Sequence, residues 1–140
     1  MDIPISEIMA FLIGVASGAG GKYFADKYTD QRKEKEAAAR EKRKFRDLRK
    51  VMPELFDEMK EDIVGDKNGL VKEFMVVPNE RLTITSSKPR FIYYEEQHQD
   101  LRNKLSLLLD AGFLEDVSVT DTPIFRMSGK FVELVCNSCR

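Results

Sequence analysis

The sequence predicts an α+β chain in three parts: a hydrophobic N-terminal helix, a long basic helix, and a small domain mixing short strands with helices. Three observations carry this. Residues 8–21 (IMAFLIGVASGAGG) hold no charge. Residues 30–50 contain neither Gly nor Pro and are rich in strong helix formers. From residue 70 onward, β-branched and aromatic runs alternate with turn residues around one Leu-rich helical stretch. The expected organisation is an anchor over 1–25, a stalk over 26–50 and a domain over 51–140.

A helix over residues 8–21 rises ~21 Å, short of a hydrocarbon core of ~30 Å. Extended over 3–25 it reaches ~34 Å, with Pro4 and Glu7 in a first turn that tolerates both. Lys22 could snorkel, and Tyr23 and Tyr28 would sit at headgroup depth. The basic block that follows suits a cytoplasmic flank. The expectation is therefore a single-pass membrane anchor, with the chain after about residue 25 in the cytoplasm. Gly14 with Gly18, and Ser17 with Gly21, are small-xxx-small pairs that let membrane helices approach, so a homodimer is a further expectation. Asp2 and Glu7 argue against a signal peptide. The absence of Lys and Arg from the apolar run argues against an in-plane helix there. A helix buried in a soluble oligomer is the remaining alternative, and each glycine costs it ~1 kcal/mol.

The stalk's bases are Arg32, Lys33, Lys35, Arg40, Lys42, Arg43, Lys44 and Arg46, among others. Residues 31–50 carry 10 basic against 4 acidic side chains, a net of +6. Such a block attracts anionic lipid or phosphate, or acts as a solvated spacer. Up to Lys44 its apolar content is Ala37, Ala38 and Ala39, too little for a tight coiled coil. Phe45, Leu48, Met52, Leu55 and Met59 then step by 3 and 4, a heptad seam that Pro53 interrupts by opening a new helix over 53–63.

In the domain, residues 70–77 read as a strand, and 82–85 with 90–94 as two short strands or a hairpin. Leu101, Leu105, Leu108 and Leu109 mark a helix closed by Gly112. Residues 114–119 and 123–127 form a hairpin around Thr120-Asp121-Thr122. Ser128 caps a last helix that buries Phe131, Val132, Leu134 and Val135.

The stretch DLRNKLSLLLDAGFLEDVSVTDTPIFRMSGKFVELV, residues 100–135, resembles the C-terminal half of a winged-helix domain. It covers about a quarter of the chain, and the anchored arrangement as a whole resembles small membrane-anchored bacterial proteins. The resemblance implies a recognition helix over 100–111, with Arg102 and Lys104 at its reading positions, and a wing over 118–123. The sequence departs from a DNA reader. The wing tip is Thr-Asp-Thr, and residues 51–140 carry 11 basic against 16 acidic side chains, a net of −5. Phosphate contacts supply most non-specific affinity for DNA, so a protein partner is expected and nucleic acid disfavoured.

Little else suggests chemistry. Glu95, Glu96 and His98 follow Tyr93 and Tyr94 where a strand meets a helix, and acids suit that position for electrostatic reasons alone. Cys136 and Cys139 form a lone CxxC with no second pair or His nearby, and Cys136 is expected to pack with Val132 and Val135. No catalytic residue, metal or cofactor is expected. The anticipated function is a non-enzymatic, membrane-anchored protein whose cytoplasmic domain recruits or senses a protein. The alternative is a nucleic-acid-binding regulator using residues 32–50 and the 100–111 helix.

Overall fold

The computed structural model describes residues 5–82 and 84–138, with side chains described from residue 21 onward. It is α+β, with helices α1 (Ile5–Val51), α2 (Pro53–Gly65), α3 (Leu101–Asp110) and α4 (Gly129–Asn137). The strands are β1 (Glu73–Val77), β2 (Phe91–Tyr94), β3 (Leu114–Asp116) and β4 (Ile124–Met127). The chain divides into two compact units, Met1–Glu41 and Lys42–Arg140.

The first unit is helical throughout its described residues, and its side chains from Gly21 to Arg40 are exposed. No helix among the described residues is long and apolar enough to cross a membrane. The expected single-pass span therefore has no support here. Its uncharged stretch is fourteen residues, diluted by glycine and alanine and closed by Lys22. The side chains of Gly14, Ser17 and Gly18 lie outside the described residues. Gly21 is exposed, and a Cβ built there meets nothing within 4 Å.

The second unit begins inside α1, because Phe45 and Met52 are buried in its core and Leu48 packs against it. The boundary expected at residue 51 thus falls later than the point where the core starts. The heptad seam is core rather than coiled coil: Phe45, Met52, Leu55 and Met59 are buried among other elements of the same unit. Proline restricts the residue before it, so Met52 leaves helical geometry (φ −135°, ψ 61°) and Pro53 opens α2.

The sheet order is β2-β1-β4-β3. β1 pairs parallel with β2, Phe74 opposite Phe91, and antiparallel with β4, Phe74 opposite Phe125. β3 and β4 form the expected hairpin, Leu114 opposite Met127. The other expected hairpin is absent. Residues 82, 84 and 85 form no strand, and β2 returns parallel to β1 without a crossover helix. Phe131 on α4 packs against Phe45, Phe56 and Phe113 with ring centroids 6.0, 5.8 and 5.7 Å away. Phe74 meets Tyr93 at 5.0 Å and Phe125 at 5.5 Å. These two aromatic groups tie the helices and the sheet into one core.

Two caps fix the elements that flank the candidate site. Gly112 takes φ +77°, and the amides of Gly112 and Phe113 bond to the carbonyls of Leu109 (2.9 Å) and Leu108 (3.0 Å). That is a Schellman ending, which turns the chain from α3 straight into β3. Ser128 accepts from the Phe131 amide at 3.2 Å, the expected N-cap of α4. Cys136 is exposed instead of packed, because the helix turns Phe131 and Val135 inward; Cys139 lies outside the described residues.

Candidate functional site

The Leu stripe of α3 buries Leu101, Leu105 and Leu108, leaving Arg102 and Ser106 exposed. Beside it lies the β3–β4 turn. Asp116 accepts from the Ser118 amide (2.9 Å) and hydroxyl (2.6 Å), and the Ser118 hydroxyl also accepts from the Ile124 amide (2.8 Å). These bonds hold the turn with Val119 at its tip, 92% exposed. The Ser118 bonds hold the Asp116 carboxyl below its ordinary range, so it is an anion at neutral pH.

Between helix and turn lies a groove of about 330 Å³, with Leu105, Leu109 and Phe125 as apolar lining and Ser106, Asp116 and Asp121 as polar lining. A second hollow of about 250 Å³, lined by Val77, Leu82 and Ile84, shares Arg102, Asp121 and Pro123 with the first. Together they make an apolar trough on both sides of Pro123, edged by Asp116, Asp121 and Glu95. Arg102 donates to Glu95 at 2.7 Å, so the base at the trough is matched by an acid. The fold thus brings Arg102 and the expected wing to one surface. Lys104, the other expected reading position, is half-buried and lines neither hollow.

The remaining bases expected to act lie on α1. Arg32, Lys33, Lys35 and Arg40 are exposed in the first unit, and Lys42, Arg43, Lys44 and Arg46 are exposed in the second. Arg32 pairs with Glu36 at 2.9 Å.

Three groupings escaped the sequence. Glu73 of β1 accepts from Arg90 (3.0 Å) and Arg126 (2.9 Å), and Arg126 reaches Glu115 at 3.6 Å. This chain of charges runs across the sheet. Arg126 donation, and then Arg90, hold the Glu73 carboxyl below its usual range against the opposing effect of burial. Second, His98 Nε2 meets Glu58 of α2, while among the described residues His98 Nδ1 is buried without a hydrogen-bond partner and the Tyr93 hydroxyl is buried beside the Asp62 carboxylate. Burial, and then the Asp62 and Glu58 carboxylates, push the Tyr93 hydroxyl's ionisation far up, so it stays neutral. Third, Leu82 and Ile84 line the trough instead of forming a strand. Of the cluster considered from sequence, Glu95 lines the second hollow and pairs there with Arg102, whereas Tyr93, Tyr94, Glu96 and His98 line neither hollow. Among the described residues no group of His, Cys, Asp and Glu could hold a metal ion.

No protein family, curated protein or solved structure matches the chain.

Proposed function

We propose that the protein is a non-enzymatic, membrane-associated interaction module. Its apolar N-terminal segment keeps it at lipid, and the trough between α3 and the β3–β4 turn receives a protein. The second unit's order of α2, β1, α3, β3, β4 and its β1-β4-β3 pairing support a winged-helix-like reading. In that reading β2 stands where a helix would precede the recognition helix.

One observation carries the proposal. At the surface a winged helix would turn to DNA, the edge is acidic, and Arg102 is already paired with Glu95. Phosphate would meet repulsion there, whereas a segment with apolar and basic side chains finds complementary lining and charge. The nucleic-acid alternative uses residues 32–50 and the 100–111 helix; the exposed Lys42, Arg43, Lys44 and Arg46 of α1 line neither hollow of the trough.

A photo-crosslinker at Ser106, in the full chain in its native extract, should capture a discrete protein. The same group at exposed Glu61 of α2 should not. Capture of nucleic acid at Ser106, or identical products at both positions, would exclude the reading.

A further inference from the structure

The two ends of the β3–β4 hairpin are complementary in shape and charge. At the turn, Val119 is 92% exposed, with exposed Asp116 before it in the chain and exposed Asp121 after it. The Asp116–Ser118 bonds already hold this turn, so docking its tip costs little further ordering. Asp121 makes no ion pair among the described residues. The turn is therefore a preformed apolar knob flanked by acids.

At the other end of the hairpin Leu114 faces Met127. There Ile63, Val71, Met127 and Val132 line an apolar hollow of about 280 Å³, with Asp66 and Lys72 as its charged members. Asp66 accepts from the Val71 amide at 2.8 Å. Gly69 and Gly129 leave the hollow wide, since a Cβ at either would meet nothing within 4 Å. Val64 and Leu70, neighbours in the chain of these lining residues, are 55% and 70% exposed, so apolar surface continues beyond the hollow. Lys72 also lines an adjoining hollow of about 260 Å³ with Lys88 and Arg126. The acid there, Glu73, is matched by Arg90 and Arg126, whereas Lys72 and Lys88 make no ion pair among the described residues. An apolar hollow beside two uncompensated bases is the counterpart of the Val119 knob and its acids.

The knob cannot reach the hollow of its own chain, because the length of β4, ~10 Å, lies between them. A surface apolar side chain and a hollow that fits it, carried on one molecule, make a head-to-tail contact between copies. We infer that the chain self-associates in this way: Val119 of one copy enters the hollow of Ile63, Val71, Met127 and Val132 in the next, with its Asp121 beside Lys72 and Lys88. The contact goes beyond the trough reading and does not depend on it, since Val119 lines neither hollow of the trough.

Sedimentation of the full chain should show species that grow with concentration and shrink with added salt, because the charged contacts are exposed. V119D, which puts a charge into an apolar hollow, should weaken association about tenfold or more, and so should K72E/K88E. All three positions are exposed, and unaltered melting temperatures check that each variant is folded. V119D loses the knob and K72E/K88E the hollow. Mixed, they should form a one-to-one pair through the one intact knob and the one intact hollow, and grow no further. A photo-crosslinker at exposed Gly129, in the native extract, should join the turn of a second copy. A native chain that stays monomeric, association that the variants leave unchanged, a mixture that does not pair, or a crosslink from Gly129 to another protein instead overturns the inference. Absence of a captured protein at Ser106, with self-association intact, removes the trough reading and leaves this one standing.

Discussion

Glu73 shows what a single carboxylate does in this domain. It joins Arg90, ahead of β2, to Arg126 of β4, so one residue ties both neighbours of β1. Its folded pKa lies below the ordinary value, so its contribution is present above ~4.3 and is lost as pH falls through the lower folded value. E73Q should therefore lower the melting temperature at neutral pH, where it leaves the mostly buried Arg90 without its carboxylate. It should also lose less stability than the native chain on acidification below about pH 4. Melting curves across pH check this, and parallel acid limbs for the two proteins would contradict it. The partners lie 17 and 53 residues from Glu73, and His98 lies 40 from Glu58. Spacing of that kind carries no periodic signal, so these contacts could not be read before the fold was known.

At the scale of elements, legibility followed local chemistry. Pro53 splitting the helices, the Leu stripe of α3, the hairpin of β3 with β4, and the Ser128 cap are all dictated within a few residues, and each was readable. β2 was readable as a strand over 90–94, but its pairing was not, because Ser86-Ser87-Lys88-Pro89 announces a turn and says nothing about which strand receives the chain afterwards. A hairpin is the nearest solution; the central β1, buried from Phe74 to Val77, took β2 as a parallel neighbour instead. The same locality makes Gly112 testable. At φ +77° a side chain is strained even though the space around it is open, so G112A should cost about 1–2 kcal/mol. For a domain of this size that is roughly 4–8 °C of melting temperature per kcal/mol. An unchanged melting temperature would mean the Schellman ending is not what sets the angle between α3 and β3.

For the whole molecule, the formal charge of −1 conceals opposite surfaces: a net of +6 over residues 31–50 and −5 over residues 51–140. The sequence showed that division but not its arrangement. On the first unit acids and bases mix around the helix, Arg32 pairing with Glu36. On the second, acids edge an apolar trough whose Leu82 and Ile84 come from a segment that reads as strand. Like-charged surfaces of this kind select partners by sign as much as by shape. The central claim is that the acidic trough recognises a protein through charge and apolar contact. Reversing its edge tests that most directly, since Asp121 is exposed, takes no part in the Asp116–Ser118 bonds that hold the turn, and can be changed without touching the core. With the crosslinker at Ser106, the D121K chain should lose most of the protein captured by the native sequence while keeping its melting temperature. Undiminished capture by the charge-reversed chain would contradict the account.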